Sequence, residues 1–166
     1  PYPDIPDTLS LAEAYALQHA VVAALTKMSP VAGFKGGLTD PATRDRFHAA
    51  GPISGVLFAS GRLGDHASVQ LDGDDAVKIE LEIAFVLARA ITKPLGDDED
   101  PLASVAGIAP AVELPNTNLA GVPSVADLVG SNVSAQQFIV GDLRVAPAWS
   151  VIDGIHVQVF RDGTPL

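Results

Sequence analysis

The sequence predicts an α+β fold dominated by a sheet, and three observations support this prediction. One segment near the start carries the signals of a capped amphipathic helix, whereas most later apolar segments are as short as strands. The chain shows no internal repeat, and its 166 residues suffice for one domain with its own core. Short strands combined with two or three helices indicate a sheet with helices packed against it.

The clearest element is a helix within the first 30 residues. Residues 1–9 contain three prolines, which predict an extended lead-in because proline fixes φ and lacks an N–H donor. Ser10 and Glu13 form the S-x-x-E pattern of a capping box, and Pro30 marks the end of the helix. Apolar side chains recur every three or four residues between these limits, at Leu11, Ala14, Leu17, Val21, Leu25 and Met28.

The rest of the chain is predicted to alternate short strands with short helices. The predicted strands are 31–39 (which enters a glycine-rich turn), 56–58, 79–88, 108–114, 138–140 and 155–160, and the predicted helices are 41–47 and 123–128. The last strand leads into Asp162 and Gly163, a typical hairpin turn. Because the chain given ends at Leu166, we expect no return strand and a fold that is incomplete at its C-terminus.

The composition excludes several kinds of partner. The formal net charge is −10, so a polyanion such as nucleic acid would be repelled. No apolar run approaches the roughly 20 residues of a membrane span, and residues 1–7 lack the apolar stretch of a signal peptide. The chain has no cysteine, which excludes thiolate chemistry and fits a reducing compartment. We therefore expect a soluble cytoplasmic protein that binds neither nucleic acid nor membrane.

Two glutamates on one predicted strand are the first candidates for chemistry. Side chains alternate between the faces of residues 79–88, so Glu80 and Glu82 share a face that turns apolar beyond them, and the other face is wholly apolar. This pattern predicts that both faces meet protein, where two neighbouring carboxylates would cost several kcal/mol per ion. Bound Mg²⁺ or Mn²⁺ would offset that cost. The alternative, which has equal weight, is a strand end with two solvated glutamates.

A third glutamate strengthens the metal interpretation. Glu113 stands alone as an acid in the apolar segment 108–114. A third carboxylate would complete a triad and leave coordination positions open for water and substrate. By itself, Glu113 fits equally well as an edge-strand residue that faces solvent. Two apolar strands that both carry such acids favour one metal site at Glu80, Glu82 and Glu113.

Five stretches of the chain together resemble a known family. They are residues 12–18, 33–39, 80–87 and 110–114, and residues 131–134 with Gly141. In this order and spacing they resemble the 2-keto-4-pentenoate hydratase and 4-oxalocrotonate decarboxylase family of the fumarylacetoacetate hydrolase superfamily, from about Ser10 to Leu166. The resemblance implies a lead-in and helix at 1–30. It implies a metal-binding catalytic domain at 31–166, a mixed β-roll of the fumarylacetoacetate hydrolase C-terminal-domain type.

The resemblance also implies roles for individual residues. In that family the E-x-E strand and the later glutamate bind Mg²⁺ or Mn²⁺, which implies Glu80, Glu82 and Glu113. Lys35 matches the lysine of the family's K-x-G-L-T turn, where it would polarise or protonate the substrate; without the family it would read as a surface lysine. The implied substrate-binding residues are Leu57, Asn132 and Ser134.

Three positions qualify the implied chemistry. Ile53 stands where the hydratases carry the aspartate of a P-D-x-G motif, and because it cannot move a proton it favours decarboxylation or a related enolate chemistry. Ser131 replaces the aspartate of the family's A-D-N-A-S segment. His48, in a polar segment before Pro52, is a second candidate acid or base, although a solvated loop histidine carries more weight.

The function implied by the resemblance is a Mg²⁺- or Mn²⁺-dependent lyase of aromatic catabolism. It would act on a 2-oxo acid such as 2-hydroxypenta-2,4-dienoate or 4-oxalocrotonate through an enolate, as a homo-oligomer or within a hydratase–decarboxylase complex. One alternative is a metal-dependent acylpyruvate C–C hydrolase in which His48 activates water. The other is a non-catalytic truncated homologue that acts as a partner subunit and pairs through an open strand edge after Phe160.

Overall fold

The computed structural model describes residues 9–70, 78–116, 122–142, 144–145 and 149–166. The predicted lead-in at residues 1–9 therefore falls almost entirely outside the described residues. The chain divides into two compact units, one formed by Pro1–Glu82 and Val112–Ile139 and the other by Ile83–Ala111 and Val140–Leu166. The assignment of residues 31–166 to one catalytic domain stays a prediction.

Helices and strands follow one another in an order close to the predicted one. The helices are α1 (Leu11–Leu25), α2 (Pro41–Phe47), α3 (Val125–Gly130) and α4 (Trp149–Ile152), with short 3-10 helices at Ala59–Gly61 and Pro101–Ser104. The strands are β1 (Val31–Gly37), β2 (Ile53–Phe58), β3 (Glu80–Leu87), β4 (Val105–Leu114), β5 (Gln137–Val140), β6 (Arg144–Val145), β7 (Phe160–Arg161) and β8 (Thr164–Pro165). None of the helices among the described residues is long and apolar enough to cross a membrane.

The first helix begins as the sequence predicts. The Ser10 hydroxyl accepts the Glu13 N–H at 3.3 Å, and the Glu13 carboxylate accepts the Ser10 N–H at 2.8 Å, which is a complete capping box. The helix buries Ala14 and Gln18. The remaining apolar positions of the stripe are mostly exposed, namely Leu11, Leu17, Val21 and Met28.

The core of the first unit lies where α1, α3 and β2 meet. Its buried members are Ala14, Ile53, Ala126, Val129 and Val133. Small aliphatic side chains let these elements approach closely, in keeping with an aromatic content of 5%. The core thereby fixes the hairpin against the segment that follows α3.

An antiparallel hairpin of β1 and β2 positions the lysine of the glycine-rich segment. Lys35 lies opposite Gly55, and Gly37 lies opposite Ile53. A register shift between Val31 and Gly33 marks a bulge at the start of β1. Because side chains alternate along a strand, this register sets the face of the hairpin on which Lys35 lies.

The second sheet carries the predicted glutamates. Its strand order is β3-β4-β5, and β6 pairs with β4. The expectation that both faces of β3 meet protein is wrong for the described residues, because Leu81, Phe85 and Leu87 on its apolar face are between 45% and 48% exposed. The alternating pattern identified the strand but not what covers it.

The C-terminal segment also differs from the prediction. A return strand does form, because β7 and β8 pair antiparallel across Asp162 and Gly163, whose φ angles are 52° and 77°. Two successive residues at positive φ are typical of the tight turn that joins hairpin strands. The predicted strand at 155–160 is reduced to its last residue, since only Phe160–Arg161 is a strand.

Removing the buried amide of Gln18 should destabilise the first unit. Gln18 Nε2 donates to the carbonyls of Ser54 (2.8 Å) and Val129 (3.2 Å), and the side chain is 3% exposed. Gln18→Ala leaves both carbonyls without this donor, so we expect a loss of about 1–3 kcal/mol in the free energy of unfolding. Urea unfolding measures the loss, with the exposed His19→Ala on the same helix as the matched control. Equal midpoints for the two variants would contradict this account of the core.

Candidate metal centre

Three carboxylates, those of Glu80, Glu82 and Glu113, converge in the first unit. Glu80 and Glu82 come from the start of β3, and Glu113 comes from the end of β4. One oxygen from each lies within 4.8 Å of the others, close enough for a single ion to bind all three. Glu113 is buried, Glu80 is half-buried and Glu82 is exposed. The triad therefore depends on β4 for its buried member.

Glu113 is the electrostatically demanding member of the triad. It is 4% exposed, its Oε2 accepts a hydrogen bond from Lys35 Nζ at 2.6 Å, and its Oε1 has no partner among the described residues. Burial raises the pKa of Glu113 above its usual value, the bond to Lys35 opposes this rise, and the charges of Glu80 and Glu82 add to it. A buried carboxylate oxygen without a partner is the kind of atom that a divalent cation satisfies.

The two other members of the triad, Glu80 and Glu82, lie together on β3. Although Glu82 is exposed as a residue, partial burial of its carboxyl group raises the pKa of Glu82. The neighbouring charge of Glu80 raises this pKa further, and Lys35 opposes both effects. Glu80 lies 3.9 Å from Lys35 Nζ through its Oε2 and forms an ion pair with Lys78 through its Oε1. Mutual repulsion and partial desolvation thus act on Glu82 and Glu113, and a bound cation would relieve both effects.

Lys35 is held between the triad and a neighbouring backbone carbonyl. Its side chain is 10% exposed, and Nζ donates to the Val133 carbonyl at 3.2 Å as well as to Glu113. Opposite it on β2, an added Cβ at Gly55 would lie 3.2 Å from Lys35 Cγ and 2.7 Å from the Asn132 carbonyl oxygen. The glycine therefore gives the lysine stem and the turn after α3 the room to pack together.

That turn has an unusual backbone. Asn132, Val133 and Ser134 have φ angles of 60°, 54° and 55°, so three successive residues other than glycine adopt the left-handed conformation. The left-handed conformation costs roughly 1–2 kcal/mol per residue and is least favourable for a β-branched side chain such as valine. We call residues 132–134 the left-handed turn. Strain of this kind persists only when the surroundings impose it, and it clusters at functional sites.

A cavity of about 450 Å³ lies beside the carboxylates. Its polar wall includes Lys35, Glu80, Glu82 and Ser134, and its apolar wall includes Phe47, Ile53, Pro115, Pro123, Leu128 and Val133. A cleft with a few convergent charges and an otherwise apolar lining is the usual form of a small-molecule site.

The structure distributes the remaining predicted residues unevenly. Asn132 is buried, and its amide bonds the backbone of Val56, whereas Leu57 and His48 lie outside the described cavity lining. His48 is exposed and caps the end of α2 in the left-handed conformation. Substrate contacts by Asn132 and Leu57 and a proton-transfer role for His48 stay predictions.

Lys78 is a cavity-lining residue that sequence reasoning missed. It lies two positions before Glu80 and four before Glu82, so the alternation that pairs the glutamates assigns it to the same side of the extended chain. Its ammonium group pairs with Glu80 and it lines the cavity. The signal was therefore present in the spacing K-x-E-x-E.

Comparison with curated proteins gives consistent relatives, although no family model matches the chain. A 2-keto-4-pentenoate hydratase of Paraburkholderia xenovorans (strain LB400) is 26% identical over 137 residues, covering 82% of this chain and 51% of that protein. A 2-hydroxyhexa-2,4-dienoate hydratase of Comamonas testosteroni is 28% identical over 138 residues, covering 81% and 52%. A 2-keto-4-pentenoate hydratase of Burkholderia vietnamiensis (strain G4 / LMG 22486) is 32% identical over 116 residues, covering 69% and 44%. The chain spans about half the length of these relatives.

Two solved structures of 4-oxalocrotonate decarboxylase from Pseudomonas putida G7 share the fold. The complex with magnesium and adipate has a TM-score of 0.73 at 25% identity and covers 89% of this chain and 55% of that one. The complex with calcium and acetate has a TM-score of 0.75 at 24% identity, covers 95% and 60%, and shows the fold alone. These neighbours belong to the fumarylacetoacetate hydrolase superfamily, and the mixed helices and small antiparallel sheets described above agree with that fold.

The family predicted from five short motifs is thus the one found by comparing sequence and fold. The relatives are named hydratases, and the structural neighbours are decarboxylases of the same group. The convergence of three carboxylates agrees with the magnesium in the first of those two complexes. In sequence and in fold, the chain is similar to 2-keto-4-pentenoate hydratases and to 4-oxalocrotonate decarboxylase.

Proposed function

We propose that this chain carries the metal and substrate site of a Mg²⁺- or Mn²⁺-dependent lyase that acts on a 2-oxo acid. The observation that carries the proposal is the buried carboxylate of Glu113, which lies close to Glu80 and Glu82. Its Oε1 has no hydrogen-bond partner among the described residues. An all-oxygen site of this kind suits Mg²⁺ and Mn²⁺. Glu80, Glu82 and Glu113 would hold the ion.

The charges around the cavity support an anionic substrate. Lys35 and Lys78 face three carboxylates, which leaves an excess of one negative charge that a divalent ion would convert to an excess of one positive charge. A carboxylate ligand would then be attracted to a site that is otherwise part of a strongly acidic chain. The apolar wall of the cavity suits the hydrocarbon part of such a substrate.

The chemistry divides between the ion and the chain. When bound, a divalent ion supplies a Lewis acid that stabilises negative charge on the 2-oxo oxygen. Lys35, the cation held at the triad, would bind the substrate carboxylate or deliver a proton beside it. Ile53, which is 3% exposed and lines the cavity, excludes water from its position and moves no proton.

The reaction we propose is hydration or decarboxylation of a substrate such as 2-hydroxypenta-2,4-dienoate or 4-oxalocrotonate. Names of the relatives support both reactions, and the apolar Ile53 favours decarboxylation. The setting we propose is the cytoplasm, which the absence of cysteine supports. Exposed apolar side chains such as Leu81, Phe85 and Val21 support a homo-oligomer or a hydratase–decarboxylase complex.

Metal binding should depend on the triad and not on acidic charge in general. Glu82→Gln removes one oxygen ligand, whereas Asp97→Asn removes the same charge from an exposed loop. Titration calorimetry with Mn²⁺ in the presence of oxalate, which imitates the enolate of pyruvate, should show an affinity at least about tenfold weaker for Glu82→Gln. Asp97→Asn should bind as the wild type does. Equal affinities for both variants, or no saturable binding by the wild type, would contradict the proposal.

The stabilisation by metal should grow with pH. A raised carboxyl pKa means that the folded chain holds its proton more tightly than the unfolded chain, so Glu82 and Glu113 make the metal-free fold less stable as pH rises through their pKa values. Metal binding requires the ionised carboxylates and therefore opposes this loss.

Thermal unfolding with and without excess Mn²⁺ checks this dependence. The increase in Tm on adding Mn²⁺ should be larger at about pH 7.5 than at about pH 5, where protons compete with the ion for the same oxygens. Glu82→Gln, which lacks one titrating ligand, should show a smaller increase and a weaker pH dependence. An increase in Tm that is the same at both pH values would show that the ion binds elsewhere.

A further inference from the structure

We propose that Asn132 is a positioning residue for Lys35: through the left-handed turn it holds the Val133 carbonyl against the lysine ammonium group. The proposal deepens the function proposed above and rests on it for the role of Lys35 beside the substrate. The family resemblance implies that Asn132 contacts the substrate, whereas the proposal gives it the role of holding the turn beside Lys35.

The side-chain amide of Asn132 forms a clamp between the turn and β2. The Val56 N–H donates to Asn132 Oδ1 at 2.8 Å, and Asn132 Nδ2 donates to the Val56 carbonyl at 2.8 Å. Both polar atoms of one buried amide thus bond one residue of the strand, in the manner of a neighbouring strand. Asparagine is also among the few residues other than glycine that readily adopt the left-handed conformation.

The turn packs closely on the hairpin of β1 and β2. An added Cβ at Gly37 would lie 2.6 Å from Val133 Cγ1, and one at Gly55 would lie 2.7 Å from the Asn132 carbonyl oxygen. Both distances are shorter than a carbon atom allows, so the turn occupies the space that two side chains would need. The two hydrogen bonds of Asn132 and the absence of side chains at Gly37 and Gly55 together let the turn pack directly on the strands that carry Lys35 and Ile53.

Backbone hydrogen bonds hold the strained residues of the turn in place. The Val133 N–H donates to the Leu128 carbonyl at 2.6 Å, and the Asn116 N–H donates to the Ser134 carbonyl at 2.8 Å. With these bonds made, the carbonyl between them, that of Val133, is left to accept from Lys35 Nζ at 3.2 Å. This carbonyl belongs to the peptide unit between two residues in the left-handed conformation, Val133 and Ser134.

This arrangement gives Lys35 a partner that does not compete for metal. Its other partners, Glu113 at 2.6 Å and Glu80 at 3.9 Å, are carboxylates of the triad that a cation would also use. The Val133 carbonyl is a neutral acceptor outside the triad. A lysine anchored by this carbonyl stays beside the triad whether or not the carboxylates are engaged, which is what a substrate-directed cation requires.

Exchange of the lysine ammonium protons with water tests the proposal without metal or substrate. In ¹H–¹⁵N correlation spectra of the metal-free chain, Lys35 should give a slowly exchanging NH₃⁺ signal, assigned by its loss in Lys35→Met. Asn132→Gly removes the clamp but permits the left-handed backbone, and it should accelerate Lys35 exchange about tenfold. Lys27 and Lys78 should be unaffected. No slow Lys35 signal in the wild type, or an unchanged one in Asn132→Gly, would overturn the proposal.

Ser131→Ala is the matched control for a merely structural role. Ser131 is the buried residue that precedes the turn, and its hydroxyl donates to the Leu128 carbonyl of α3 at 3.1 Å rather than to the backbone of Val56. This variant should lose stability while the exchange rate of Lys35 stays as in the wild type. If Asn132→Gly does not fold, Asn132→Ser, which keeps a shorter polar group, takes its place with the same expected direction.

Oxalate binding to the Mn²⁺-loaded chain gives a second, functional readout. Asn132→Gly should weaken oxalate about tenfold while Mn²⁺ affinity stays within about twofold, and the double variant with Lys35→Met should bind no more weakly than Lys35→Met alone. Effects that multiply would show that Asn132 acts independently of Lys35. A chain that binds no Mn²⁺ would refute the proposed function, whereas the exchange measurement would still decide the role of Asn132.

Discussion

The buried ion pair between Lys35 and Glu113 is the interaction on which the site depends. A carboxylate that is 4% exposed, next to two further carboxylates, cannot stay ionised without a nearby cation. Lys35 Nζ supplies one at 2.6 Å, but it meets only one oxygen of Glu113. The first unit is therefore built to bring a lysine from one hairpin to an acid from another sheet, and the remaining negative charge is what prepares it for a divalent ion.

Several contacts in the first unit hold Lys35 where it can pair with Glu113. The hairpin register places Lys35 opposite Gly55, and the missing side chain there admits the left-handed turn. Asn132 and Gln18 then hydrogen-bond backbone groups of β2 and α3 and so tie these elements together. Strain in the turn is local, whereas the hydrogen bonds and core contacts that impose it extend over α1, α3 and β2.

Sequence reasoning succeeded where one periodicity determined the outcome. The capping box located α1, and alternation along β3 identified Glu80 and Glu82 as neighbours on one face. Glu113 was identified as a lone acid in an apolar strand, and the structure brings its carboxylate close to the other two. It failed where tertiary packing overrides local preference: no propensity predicts valine at positive φ, and the apolar face of β3 gave no indication that Leu81 and Phe85 would be exposed. The same alternation assigns Lys78 to the side of the chain that carries Glu80 and Glu82.

The most direct measurement of the central claim is the position of a bound metal ion. Crystals of the chain soaked in Mn²⁺ and measured near the manganese absorption edge would locate the ion by its anomalous scattering. We expect one strong peak within about 2.6 Å of an oxygen of each of Glu80, Glu82 and Glu113, with Lys35 still bonded to the Val133 carbonyl. A peak at another group of acids, or no peak while Lys35 and Glu113 remain paired, would contradict the account.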